Sequence, residues 1–117
     1  MKTMNKRVVF VVNRSGHDFS DAERFGELVF LSEGNVNKLA LTKMYRDMSA
    51  TLKDSSADDS ILLSGPTNLC CIAVACFAYL HDIVNLLLFH DGRYVTRKIV
   101  LGELLKKETK SGPPSNN

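Results

Sequence analysis

No glycine-rich GxGxxG and no Walker lysine follow any apolar run of this chain, which argues against a dinucleotide oxidoreductase or a nucleoside triphosphatase, since both cradle phosphates with those residues. A Cys-x-x-Cys pair is missing too. The three cysteines, Cys70, Cys71 and Cys76, fall in one apolar segment, and adjacent helical cysteines point in different directions, so neither a zinc site nor a disulfide framework is predicted. Reduced thiols packed in a core are expected, in a cytoplasmic setting.

Charge of one sign is also scarce. Fifteen Lys and Arg stand against thirteen Asp and Glu, a net charge of +2. The small clusters Lys6-Arg7, Arg97-Lys98 and Lys106-Lys107 form no stripe and have no aromatic platform, so nucleic acid is not an expected partner. Uninterrupted apolar runs of membrane length are lacking as well. Leu69 to Phe89 comes nearest, but His81, Asp82 and Asn85 break it, and an aspartate in mid-bilayer costs about 3 kcal/mol on the insertion scale. No membrane span is predicted. The run Val8 to Val12 is shorter than a signal-peptide core and no small-residue cleavage site follows it, so a secretory leader is not expected either.

What is present is the composition of one globular domain. The chain has 117 residues, 44% hydrophobic and 24% charged, enough for a real core and too few for a second. Its organising stretch is Asp59 to Phe89, which reads as a strand (Ile61 to Leu63), a turn Ser64-Gly65-Pro66-Thr67-Asn68, an apolar helix to about Leu80, and a strand from Ile83. Such a unit predicts parallel strands and a right-handed crossover.

Upstream, Arg7 to Val12 is a β-branched and aromatic run of the kind covered on both faces. Ser20-Asp21-Ala22-Glu23 matches a capping box and predicts a helix of barely two turns, stopped at Gly26. Leu28 to Leu31 gives a second strand. From Val36 to Leu52 the residues Leu41, Met44, Tyr45, Met48 and Leu52 recur at helical spacing, predicting an amphipathic helix with that stripe on the sheet. Downstream, Asp91-Gly92 is a two-residue hairpin signal. Tyr94 to Leu101 should return antiparallel as an edge strand, with Arg97 and Lys98 discouraging sheet-to-sheet pairing. A short helix is expected from about Glu103 to Lys107, and a disordered tail over 110–117, leaving 1–109 as a single domain.

The element order predicts a small three-layer α/β, Rossmann-like fold with a mostly parallel five-stranded sheet and an antiparallel edge hairpin. The helix Leu69 to Leu80 is apolar almost all round, which predicts burial between layers or in a homodimer contact.

In open α/β sheets ligands bind at the carboxyl ends of the strands. Parallel strands would bring four loops to that rim: Asn13 to Asp18, Ser32 to Asn35, Ser64 to Asn68, and His90 to Arg93. The expected ligand contacts are Asn13, Arg14, Ser15, Ser32, Glu33, Ser64, Gly65, Thr67, Asn68 and Arg93. Hydroxyls and backbone N–H groups at a helix N-terminus favour an anion, so the predicted ligand bears phosphate and is nucleotide-like. The alternative for Ser64, Thr67 and Pro66 is plain helix capping. All three histidines precede an aspartate (His17, His81, His90). His17 and His90 should reach the rim, where either could serve as general acid or base in a metal-independent phosphodiesterase, with Arg14 steadying charge. No cofactor or metal is called for, and a protein-interaction module working through the third helix or the last strand is the remaining alternative.

The residues Ile61-Leu62-Leu63-Ser64-Gly65-Pro66-Thr67-Asn68, followed by a small-residue apolar helix, resemble the CARF-type Rossmann-like domains that sense cyclic oligonucleotides. The resemblance implies a homodimer with ligand held across its two-fold axis by Ser64, Thr67, Asn68 and the loop Asn13 to Ser15. A lone unit of this kind suits a ligand sponge or ring-opening nuclease better than a sensor wired to an effector.

Overall fold

The computed structural model describes residues 6–37 and 39–104. The strands are β1 (Val8–Val11), β2 (Glu27–Phe30), β3 (Ser60–Leu62), β4 (Ile83–His90) and β5 (Arg93–Val100). The helices are α1 (Leu41–Leu52), α2 (Thr67–His81) and α3 (Leu101–Leu104), with a 3₁₀ turn at Ser20–Phe25. The five strands form one sheet in the order β2-β1-β3-β4-β5. All pairs are parallel except β4 with β5. The protein is thus the α/β fold with an antiparallel edge hairpin that the element order predicts.

β1 lies inside the sheet between β2 and β3 with every one of its side chains buried, and burying a valine or phenylalanine is worth about 1.5–3 kcal/mol. The period of two divides the core. Val8, Phe10 and Val12 face Met48 and Leu52 of α1 and Leu69, Ala73 and Phe77 of α2. Val9 and Val11 face the other way, onto Ala22 of the 3₁₀ segment and Phe19 just before it. Three layers result: the short turn, the sheet and the helix pair. Chain order explains the asymmetry, since the β1–β2 connection steps one way along the sheet and both later crossovers step the other.

Asp59 closes the lower end of β1. Fully buried, it accepts the Val8 N–H at 2.9 Å and the Ser56 N–H at 2.8 Å. Asn85 fixes the same loop through Ala57 O and Asp59 O.

Several boundaries differ from the sequence reading. The capping box does not form: Ser20–Phe25 is 3₁₀ with no side-chain cap, and Asp18 Oδ1 accepts the Ser20 N–H at 2.9 Å. Six residues are too few to repay an α-helical nucleus. α1 begins at Leu41 rather than Val36, because the Asn37 side chain accepts the Leu39 N–H and turns the chain first. Its predicted stripe is only partly inward, with Leu41 and Tyr45 exposed. α2 starts earlier than expected, at Thr67, and β5 stops one residue sooner, at Val100. The expected helix at Glu103 falls partly in α3; its remainder and the 110–117 tail lie outside the described residues.

The long apolar stretch divides where expected. α2 ends at Asp82, held in the left-handed region (φ 57°) with its N–H on Ala78 O, and β4 follows at Ile83. Among the described residues no helix is long and apolar enough to cross a membrane. α2 buries Leu69, Ala73 and Phe77 but leaves the parallel stripe Cys71, Ala75 and Tyr79 exposed. Beside Tyr79, which is 88% exposed, a groove of about 430 Å³ runs between α1 and α2, lined by Tyr45, Ile72, Cys76 and Leu80 among others.

Candidate functional site

Strand order 2-1-3-4-5 places the topological switch point between β1 and β3, where connections depart in opposite directions and a crevice opens at the carboxyl ends. Here the crevice has a built floor. Beyond the last β1–β3 ladder bond, Val12 N to Leu62 O, the Ser64 hydroxyl accepts the Asn13 N–H at 3.1 Å and donates to Asn13 O at 2.9 Å. Asn13, only 3% exposed, donates its amide to Ser32 Oγ at 2.9 Å and Gly34 O at 3.2 Å. Ser32 Oγ in turn donates to Val12 O at 2.7 Å. Three loops are tied at one residue.

Gly65 completes the floor. At φ 83° it lies so close to Asn13 that a Cβ would sit 2.5 Å from Asn13 Cβ. Its close backbone approach is to Asn13. Neither Ser64 nor Thr67 caps α2, whose first position follows an extended Pro66. The Cys70 thiol donates to Ser64 O at 3.5 Å, and burial pushes that thiol's pKa up against the opposing pull of the hydrogen bond.

Above this floor the β1–β2 ladder continues through Arg14 N to Ser32 O and Gly34 N to Arg14 O. The Arg14 guanidinium lies over the Phe30 ring, 3.9 Å from its centroid, and Nε is 3.6 Å from Glu33 Oε2. Both partners are more than half exposed, so their pairing holds little energy. Next in sequence, Ser15 Oγ is buried without a hydrogen-bond partner in the described structure.

These side chains border a recess of about 690 Å³, lined by Asn13, Arg14, Ser15 and Glu33 of the expected set and also by Gly34, Asn35 and Pro66. A second, larger hollow of about 1030 Å³ follows the 3₁₀ segment, sharing Arg14 and Ser15 and adding His17. His17 meets the edge of Phe19 at 6.1 Å. His90 and Arg93 pair across the β4–β5 hairpin, both exposed, and His90 Nε2 is 3.4 Å from Asp91. His90 lines neither hollow. Thr67 and Asn68 occupy the first turn of α2 and line neither as well.

The rim therefore gathers Asn13, Ser32, Ser64 and Gly65 into its foundation and leaves Arg14, Ser15 and Glu33 to line the recess. Sequence reasoning missed Phe30, the platform under Arg14, although the period of two through β2 sets it on the same face as Leu28. Gly34, Asn35 and Pro66 were legible only as turn residues. Among the described residues no group of three His, Cys, Asp or Glu could hold a metal ion.

The family model described as Phage Pam3 gp32-like protein matches residues 7–100, which spans β1 through β5. No curated protein and no solved structure matches the chain. With most of its length inside that match, the chain belongs to the Phage Pam3 gp32-like protein family.

Proposed function

We propose that the protein binds a small phosphate-bearing ligand, a nucleotide or cyclic nucleotide, in the recess over the β1/β3 switch point. The observation that carries this reading is the pairing of an unpartnered, buried Ser15 Oγ with an Arg14 guanidinium held on Phe30. Arg14 offers donors to a phosphate, Ser15 offers a hydroxyl, and Glu33 beside Arg14 can accept from sugar hydroxyls. A hollow near 690 Å³ is of ligand size, since small-molecule pockets span about 300–1,000 Å³. The resemblance to CARF-type domains points to the same ligand class.

The homodimer belongs to the same proposal. Tyr79 stands beside the α1–α2 groove, a knob next to a hole, and a two-fold axis can pair each with its counterpart. Tyr79→Arg would then turn a dimer into a monomer in sedimentation without unfolding it.

Thermal shift against cyclic mononucleotides, cyclic dinucleotides, linear nucleotides and inorganic phosphate tests the binding. A rise in Tm with at least one nucleotide, abolished in Arg14→Ala and reduced in Ser15→Ala, is expected. No shift with any of them, or one that survives Arg14→Ala, overturns the reading. His17 shares the adjoining hollow with Arg14, which favours phosphodiester cleavage as the second reading; chromatography of the recovered ligand separates the two, because a binder returns it intact.

A further inference from the structure

β5 is the last strand of the sheet, and among the described residues nothing pairs with its outer edge. The hairpin turn fixes which groups face outward. Asp91 (φ 52°) and Gly92 (φ 79°) form the two-residue turn with both central residues left-handed, so His90 and Arg93 are its hydrogen-bonded closing pair. Alternation along an antiparallel ladder then points the N–H and C=O groups of Tyr94, Thr96, Lys98 and Val100 away from β4. In keeping with this, the Arg97 guanidinium folds back onto Thr96 O at 2.7 Å.

The strand carries charge of one sign. Arg93, Arg97 and Lys98 are exposed, no acidic residue lies between Arg93 and Val100, and none of the three cations forms an ion pair among the described residues. A second copy is a poor occupant. Two-fold antiparallel pairing through these outward groups, in the register that covers 94–100, sets Arg97 opposite Arg97, and like charges directly opposed destabilise a sheet. An acidic strand meets no such penalty. Arg97 and Lys98 are neighbours and therefore lie on opposite faces of the sheet, so two adjacent carboxylates on an added strand answer both.

We propose that the β5 edge binds an extended acidic peptide by strand addition, its backbone pairing with Tyr94, Thr96, Lys98 and Val100 and an adjacent pair of acidic side chains meeting Arg97 and Lys98. The site is separate from the rim recess and stands whether or not that recess binds a nucleotide. The backbone ladder supplies affinity and the alternating side chains supply selection.

Fluorescence polarisation on the full chain tests it with a labelled eight-residue probe of valine and threonine carrying a central aspartate-glutamate pair. The acidic probe is expected to bind about tenfold tighter than its lysine counterpart, from two cross-strand charge pairs reversed in sign. The charge-reversed double variant Arg97→Glu and Lys98→Glu should invert that preference. A probe N-methylated at every residue of its central segment keeps its charge but has no N–H on either edge with which to extend the sheet, and should not bind. Absence of binding by the acidic probe, binding unchanged by N-methylation, or an unaltered preference in the folded double variant overturns the proposal. So does a β5-dependent dimer that excludes the probe.

Discussion

The Ser64 side chain takes the place of a strand neighbour for Asn13, accepting a hydrogen bond from its N–H at 3.1 Å and donating one to its carbonyl at 2.9 Å. One hydroxyl thereby extends the central β1–β3 pairing by a residue, and it does so under the crevice where the fold opens.

Ser64→Ala removes both bonds at once. The Asn13 N–H and C=O lose these partners at the floor of the site, and an unmet buried polar group costs about 1–3 kcal/mol. Urea denaturation should show a loss in that range with the slope m unchanged, as expected when only the native state is weakened.

Gly65→Ala should be at least as harmful, for two reasons that can be separated. The left-handed backbone disfavours alanine by about 1–2 kcal/mol, and the new methyl collides with Asn13 Cβ. In an Asn13→Gly background the collision disappears and the conformational part remains. A double-mutant cycle should therefore return a coupling of about 0.5–3 kcal/mol.

Asp59→Ala strips the acceptors from the Val8 and Ser56 N–H groups. Hydrogen bonds to a charged acceptor contribute about 1.5–3 kcal/mol each, so a loss of roughly 3 kcal/mol or more is expected in chemical denaturation. The rim lies at the opposite end of β1, and nucleotide-induced shifts should persist at temperatures where the variant is folded.

Acid should reveal Asp18. Its carboxyl is held below the ordinary aspartate value by the Ser20 backbone N–H and then by the Ser20 hydroxyl. A lowered folded-state pKa adds stability above the unfolded value, and that contribution vanishes as pH falls through the folded one. The Tm gap between the wild-type protein and Asp18→Asn should be constant from about pH 7 to 5 and close below about pH 4, around the ordinary aspartate pKa.

The sheet was legible because its residues say the same thing at every level. Val8 to Val12 is apolar without a break, Asp91-Gly92 turns in the one way its φ angles permit, and Asp82 interrupts an apolar run where a helix must end. The 3₁₀ segment was harder to read. Ser20 and Glu23 fit a helix cap by type and spacing, yet the chain there is too short to sustain one, and Asp18 takes the Ser20 N–H first. At the rim the difficulty is of another kind. Asn13 and Ser64 look alike as ligand donors and as fasteners, and the choice depends on a register that joins residues 51 apart. Arg14, Ser15 and Glu33 line the rim recess, and only coordinates reveal that Phe30 lies beneath the arginine.

The position of β1 also bears on how the protein is made. Val9 pairs with Ser60, so the most apolar strand leaves the ribosome long before the segment that will flank it on that side. At about 5–20 residues per second, translation leaves it waiting several seconds. During that interval the growing chain can offer it β2, the 3₁₀ segment and then α1, but neither β3 nor α2, which makes the nascent N-terminal half the stage most open to chaperone capture.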